Sequence, residues 1–154
     1  MSDFQADLYD IDYYAWTQNQ AARLRMLAGD NRIDAAHLAE EIEDLGKSEL
    51  HAVESHVERI LEHFLKIEFS GLQDPVRHWQ NEISIFRNRL LDRLTQSLRN
   101  HVLDTLDRRY WYACREVARS MHDVELRDRL PKECPYGLEQ VLDTNWYPVP
   151  RSTR

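Results

Sequence analysis

Apolar residues recur every three to four positions through most of the chain, which is the spacing of one face of an α-helix. Four such stretches are separated by residues that end or restart helices. They predict helices over residues 10–28, 34–70, 75–95 and 98–122. No stretch has the alternating pattern of a strand, so the predicted fold class is all-α.

The second stretch is the longest, and a single glycine interrupts it. Its apolar positions are Leu38, Ile42, Leu45, Val53, Val57, Ile60, Phe64 and Ile67. Gly46 costs about 1 kcal/mol relative to alanine within a helix. Because the apolar spacing continues on both sides, we predict one continuous helix. It either bends at Gly46 or is closely approached there by a neighbouring helix.

Short polar residues mark where the helices begin. Asp10 or Asp12 can cap the first helix, because a carboxylate accepts hydrogen bonds from exposed backbone N–H groups. Asp74 followed by Pro75 predicts the start of the third helix, and Ser97 is the predicted cap of the fourth.

Four long helices with short connections predict an antiparallel up-and-down four-helix bundle. The length of 154 residues suits one domain, residues 1–154, with a substantial core. Residues 1–9 are predicted to form an N-terminal arm, and residues 123–154 a C-terminal appendage with short helices. Trp146 and Tyr147 are expected to hold the end of the chain against the bundle.

The net charge of −7 is unevenly distributed. Residues 1–62 contain 14 acidic and 5 basic residues, whereas residues 63–154 contain 13 and 15. A duplex-binding protein needs a concentrated basic surface to neutralise phosphates. No such surface is evident, and nucleic acid is therefore not an expected partner.

Residues 108–119, RRYWYACREVAR, mix bases with aromatic residues, as single-strand binders do. On a helix, however, Tyr110 and Val117 belong to the apolar stripe, which favours a core face and a solvated face. Trp111 and Tyr112 flank that stripe and would mark a contact surface if they are exposed.

Cysteine use and hydropathy indicate the compartment. Cys114 and Cys134 are too few for a disulfide framework or a four-cysteine zinc site. No apolar run approaches the roughly 20 residues of a membrane span, and the acidic N-terminus has no hydrophobic signal region. We predict a cytoplasmic protein with reduced thiols and no membrane association.

The second helix carries Glu49, His56 and His63 at seven-residue intervals on or beside its apolar face. Successive members lie about 10.5 Å apart along a helix, so the three cannot share one metal ion. We expect each to make a separate polar contact that fixes helix register, because buried polar groups are paired.

A guanidinium on the third helix completes the candidate cluster. Arg87 and Glu41 lie at the edges of their apolar stripes. An arginine fork can bind a carboxylate bidentately, so we predict that Arg87 pairs with Glu41 or Glu49, with His63 nearby. Together with His56 these residues are the candidate site, either a structural ion network, which we favour, or an active site.

No metal or cofactor is predicted. The di-iron bundles use Glu-x-x-His twice, and no glutamate here has a histidine three residues on. A looser mononuclear site on His56 or His63 stays open, although nothing in the sequence selects its other ligands. The available histidines are His37, His78, His101 and His122. No nucleophile-elbow or phosphate-loop motif is present.

Several segments together resemble the bacterial all-helical family known as domain of unknown function 29. They are LYDIDYYAWTQNQAARLR, HLAEEIEDLGKSE, HFLK, Trp79, Arg87, SLR at 97–99 and CPYGLEQVLDTNWYP. The resemblance spans about residues 8–148. It implies a helical bundle in a prokaryotic, intracellular protein and implies no established activity.

The absence of a complete catalytic signature favours a non-catalytic module that acts by protein–protein contact, including self-association as a homodimer. The alternative is an orphan enzyme or metal-binding bundle that uses the Glu41, Glu49, His56, His63 and Arg87 cluster.

Overall fold

A computed structural model describes residues 8–151; residues 1–7 of the predicted arm and the final residues 152–154 lie outside the described part. Within the described residues, a helical turn at residues 8–11 is followed by six further helices. They are α1 (Tyr13–Arg25), α2 (Ala35–Phe69), α3 (Val76–Arg93), α4 (Gln96–Ser120), α5 (Val124–Arg129) and α6 (Leu138–Leu142). No strand occurs between residues 8 and 151, and the all-α class is confirmed. The antiparallel up-and-down topology stays a prediction.

The chain divides into two compact units. The first comprises Met1–Val53 and Leu94–Asn100, and the second comprises Glu54–Arg93 and His101–Arg154. Helices α2 and α4 therefore contribute segments to both units. The prediction of one domain over residues 1–154 stays a prediction.

In the first unit, α1 and α2 meet through small side chains. Thr17 and Ala21 of α1 are buried, as are Ala35, Ala39 and Gly46 of α2. A Cβ atom added at Gly46 would lie 2.2 Å from Oγ1 of Thr17, far inside van der Waals contact. Of the two explanations for this glycine, close approach of a neighbouring helix is the correct one, since α2 continues unbroken through it.

The predicted core positions at the beginning of α2 are wrong. Leu38 and Leu45 are 45% and 52% exposed, and Ile42 is only half-buried. The buried face is instead the adjacent one, which carries the alanines and Gly46. Small residues allow two helix axes to approach more closely than leucines do, and this contact selects the face of α2 that is buried.

The second unit holds a larger core, and here the predicted apolar stripes are confirmed. In α2 every residue from Ile60 to Leu65 is buried, so this part of the helix is covered on all sides. The other buried apolar residues include Val57, Ile67, Trp79, Ile83, Leu90, Val102, Tyr110, Ala113 and Val117.

Asp12 caps α1, as predicted, by accepting a hydrogen bond from the backbone N–H of Ala15 at 3.1 Å. The prediction that Ser97 caps α4 is wrong, because α4 begins at Gln96 and Ser97 lies in its first turn. The hydroxyl of Thr95 accepts from the backbone N–H of Leu98 at 3.5 Å and takes the capping position.

Within the second unit, Trp146 and Tyr147 pack against α2 and α3, as expected. The Trp146 ring lies 5.2 Å from that of Phe64, and the Tyr147 hydroxyl is 2.7 Å from Oγ of Ser84. This packing brings the backbone carbonyls of α6 close to α3, the helix that carries Arg87.

Candidate functional site

Arg87 is buried at 1% exposure in the middle of α3. Its Nε donates to the carbonyl of Val141 and its Nη2 to the carbonyl of Gln140, both at 2.9 Å. Its guanidinium carbon lies 5.3 Å from the centre of the Phe64 ring and 5.1 Å from that of Tyr147.

These contacts correct the prediction that Arg87 pairs with a carboxylate. Gln140 and Val141 lie in the last turn of α6, where helix carbonyls have no partner within the helix and attract cations. Burial lowers the pKa of Arg87 despite the opposing influence of Tyr147 and Asp143. Nη1 has no hydrogen-bond partner within residues 8–151. Arg87 thus holds the C-terminal segment onto α3.

The two histidines of the predicted column both face one aromatic ring on α3. The rings of His56 and His63 lie 6.2 Å and 5.8 Å from the ring of Phe86. Nδ1 of His63 is 2.6 Å from the carbonyl of Arg59, within its own helix. Burial lowers the pKa of both histidines. Their contacts with α3 are therefore ring packing rather than the expected hydrogen bonds between helices.

The carboxylates of the predicted cluster differ in exposure. Glu41 is exposed, which corrects the expectation that it reaches inward, and Glu49 is half-buried. Of the five predicted site residues, His56 and His63 therefore lie together beside Phe86, and Arg87 binds the carbonyls of α6. A catalytic role for these five residues stays a prediction.

A polar cluster that the sequence analysis missed joins α2 and α4 in the second unit. Nη1 of Arg109 lies 2.7 Å from Oε1 of Glu58 and 3.1 Å from Oε2 of Glu54. Nε2 of His101 lies 2.8 Å from the other oxygen of Glu54. Arg109 is buried, its guanidinium lies 5.2 Å from the Tyr112 ring, and its Nε has no acceptor among the described residues.

The sequence holds one signal for this cluster. Glu54 and Glu58 are four residues apart and therefore lie on one face of α2, while His101 and Arg109 are eight residues apart on α4. Matching acids on one helix with bases on another needs the relative register of the two helices, and periodicity does not supply that register.

The histidine, cysteine and acidic side chains of the described residues do not form a metal site. Within residues 8–151 no group of three or more histidine, cysteine or acidic side chains is arranged to hold a metal ion. Cys114 and Cys134 are free and half-buried. Burial raises the pKa of Cys134 to about 11, so its thiol is protonated at neutral pH.

The first unit carries a second candidate site, an exposed apolar stripe on α2. Leu38, Ile42 and Leu45 follow the i, i+4, i+7 spacing of one helix face, and we call them the Leu38 stripe. Asp34 and Glu41 lie on the same side of the helix, next to the stripe. Further large apolar side chains of this unit are exposed as well, namely Tyr9, Ile11, Met26, Leu27 and Ile33.

Comparisons with known proteins agree with this all-helical architecture. The family described as "Domain of unknown function DUF29" matches residues 8–147. The chain belongs to this family. One solved structure similar to this DUF29 protein is an alpha-helical protein of unknown function from Rhodospirillum rubrum. It is 27% identical, covers 89% of this chain and 90% of its own, and superposes with a TM-score of 0.74. No curated protein matches the chain.

Neither the family description nor that of the solved structure states an activity. Among the described residues, no helix is both long and apolar enough to cross a membrane.

Proposed function

We propose that this protein acts as a binding module for another protein, which docks on the Leu38 stripe. The observation that carries the proposal is that small side chains are buried between α1 and α2, whereas larger apolar side chains beside them are exposed. Alanines, Thr17 and Gly46 fill the contact between α1 and α2, while Leu38 and Leu45 on the neighbouring face of α2 keep about half of their surface exposed. An ordinary amphipathic helix turns its apolar residues, including leucines, toward the core and its polar residues toward solvent.

The Leu38 stripe leaves apolar surface in contact with water. Burying a leucine side chain stabilises a protein or complex by about 1.5–3 kcal/mol relative to leaving it in water. Leu38 and Leu45 keep about half of their surface exposed, and Ile42 lies between them. Grouped apolar residues with a polar rim are typical of protein interaction sites, whereas single exposed leucines are ordinary. A partner helix laid along the stripe would recover this free energy.

Charge indicates the kind of partner. The residues of the first unit include eleven acidic and five basic side chains, a net charge of −6 out of the −7 of the whole chain. Two copies joined through this face would bring like charges together, which costs free energy. The partner that fits is therefore a different protein, with an apolar helix face flanked by lysine or arginine.

The test uses purified protein and a synthetic amphipathic helix of leucine and lysine, with a leucine–glutamate helix as its acidic counterpart. We expect the basic peptide to bind, measured by calorimetry, and its affinity to fall as salt increases. Leu38→Asn combined with Leu45→Asn should weaken binding at least tenfold, as expected from the loss of two apolar contacts. Leu103→Asn is the matched control, since Leu103 is an exposed leucine of the second unit.

A photo-crosslinker at Glu41 extends the test to the native partner, with the same group at the exposed Asp104 as its control. A crosslinked protein that contains a basic amphipathic helix, and is lost in the double asparagine variant, would support the proposal. Equal peptide binding by wild type and double variant would refute it. A homodimer that dissociates on the double substitution would replace the proposed partner by a second copy of the chain.

A further inference from the structure

The second unit contains an open groove of about 690 Å³, formed by α2, α4 and α5. This volume lies within the range of pockets that hold small organic ligands. Seven of its lining side chains are charged, namely Arg59, Arg115, Arg119, Arg127, Glu58, Glu62 and Glu116. The charge of this lining is thus +1 when all seven are ionised, in a protein whose net charge is −7.

Each carboxylate of the groove already has an arginine partner. Glu58 is bound by Arg109, as described above, and Oε2 of Glu62 lies 3.2 Å from Nη1 of Arg59. Nε of Arg119 donates to Oε2 of Glu116 at 3.0 Å. Each of the three acids is therefore neutralised by its own arginine partner. None of them neutralises Arg115 or Arg127.

Two arginines of the lining are left without a carboxylate. Within residues 8–151, neither Arg115 nor Arg127 has an acidic oxygen within ion-pair distance, and both side chains are exposed. Arg115 lies over the ring of Trp111, 4.8 Å from its centre, which orients the guanidinium while its N–H groups stay available. The two residues come from different helices, α4 and α5, on one groove.

Two hydroxyl groups of the same lining are available to a ligand as well. Tyr112 and Ser55 line the groove and are exposed, so their hydroxyls are accessible to a ligand.

We infer that this groove binds a phosphorylated small molecule, with Arg115 and Arg127 gripping its phosphate group. A guanidinium donates two parallel hydrogen bonds to a pair of oxygens, and two such forks need an anion with at least three oxygens. A phosphate monoester provides them, whereas a single carboxylate satisfies one fork only. The rest of the groove leaves room for an organic group beside Tyr112. The inference does not depend on the Leu38 stripe.

The experiment measures binding by calorimetry to inorganic pyrophosphate, adenosine monophosphate and glucose 6-phosphate, with glucuronate as a sugar acid that carries a single carboxylate. We expect one of the phosphates to bind at one site per chain and glucuronate to bind more weakly. Arg115→Gln and Arg127→Gln should each weaken that binding by about 10- to 100-fold, the range for a lost charged hydrogen bond. Arg108→Gln is the control, because Arg108 is exposed on the same helix and does not line the groove.

Both test residues are exposed, so their replacement should leave the fold intact, which circular dichroism checks. Three results would overturn the inference: no binding of any phosphate at millimolar concentration, equal loss in the Arg108→Gln control, or equal affinity for glucuronate. A single-stranded oligonucleotide is measured in the same way. If it alone binds, with a steep salt dependence, the surface is assigned to single-stranded nucleic acid instead.

Discussion

The carboxylate of Asp12 binds Ser97, 85 residues further along the chain, through two hydrogen bonds. Oδ2 accepts from the backbone N–H of Ser97 at 2.8 Å, and Oδ1 accepts from its hydroxyl at 2.7 Å. The same carboxylate caps α1 through Ala15. One side chain therefore satisfies exposed N–H groups at the beginnings of two helices, which links the N-terminus of α1 to the break between α3 and α4.

Replacing this carboxylate should destabilise the protein strongly. Asp12→Ala removes two capping interactions, each contributing about 1 kcal/mol, and leaves the Ser97 hydroxyl without its acceptor. We expect the free energy of unfolding in urea to fall by roughly 2–3 kcal/mol. Asp10→Ala is the matched control, since Asp10 is exposed, and should change stability by less than about 0.5 kcal/mol. Equal effects of the two substitutions would contradict the double cap.

The same pair predicts how stability depends on pH. Burial would raise the pKa of Asp12, but the hydrogen bonds from Ser97 and Ala15 outweigh it and hold the pKa below its usual 3.8. A carboxyl with a lowered folded-state pKa stabilises the protein above its unfolded-state pKa and loses that contribution as pH falls through the folded-state value. The stability difference between wild type and Asp12→Ala should therefore be constant from pH 5 to 7 and shrink below about pH 4. A difference that grows on acidification would refute this assignment.

Gly46→Ala should destabilise the first unit even though alanine is the better helix former. The gain in helix propensity is about 1 kcal/mol. The new methyl group, however, would lie 2.2 Å from Oγ1 and 3.1 Å from Cβ of Thr17, and overpacking of this kind costs about 1–3 kcal/mol. We expect a net loss of up to roughly 2 kcal/mol in urea unfolding. Gly29→Ala is the control, because nothing lies within 4 Å of its added Cβ.

Thr17→Ala in the Gly46→Ala background tests the cause of that loss. It removes the hydroxyl that the new methyl group would strike and should recover part of the stability. No recovery would mean that the loss has another origin.

Arg87 should be needed for attachment of the C-terminal segment. Arg87→Ala leaves the carbonyls of Gln140 and Val141 without their donors and opens a cavity between Phe64 and Tyr147. We expect a loss of about 3–5 kcal/mol, with faster proteolysis of the C-terminal segment than of the rest of the chain. Arg87→Lys, which keeps the charge but not the fork, should fold and show an intermediate loss.

The control for Arg87 is the exposed Arg89, whose replacement by alanine should be nearly neutral. Unchanged protease resistance of the C-terminal segment in Arg87→Lys would contradict the proposed attachment.

Glu62 is expected to be a destabilising charge. It is buried among the apolar residues of α2, and burial raises its pKa although Arg59 opposes this. A carboxyl with a raised folded-state pKa contributes stability below its unfolded-state pKa and loses it as pH rises through the folded-state value. Glu62→Gln should therefore stabilise the protein at pH 7 by roughly 1 kcal/mol, with no gain at pH 3. Glu116→Gln is the control. Glu116 also pairs with an arginine, Arg119, but its side chain is more exposed than that of Glu62, and its replacement should give no such gain.

Local signals in the sequence were sufficient to predict where the four long helices lie along the chain. The 3.6-residue spacing of apolar residues, the capping carboxylate of Asp12 and the break after α3 act within a few residues, and they predict α1 to α4 close to their observed limits. The resemblance to an all-helical family pointed to the same class. The apolar stripe of the later part of α2, with Val57, Ile60, Phe64 and Ile67, was predicted correctly because all four positions keep the helical spacing and are buried.

The tertiary structure alone decided which side chains meet. The face of α2 around Leu38 is apolar, yet the smaller residues beside it allow α1 to approach closely, and the leucines stay outside. Arg87 binds carbonyls at the end of α6 instead of a carboxylate, and Arg109 pairs with Glu54 and Glu58. Periodicity along one helix defines its apolar face, but partners across the fold depend on the register, distance and rotation of the other helices.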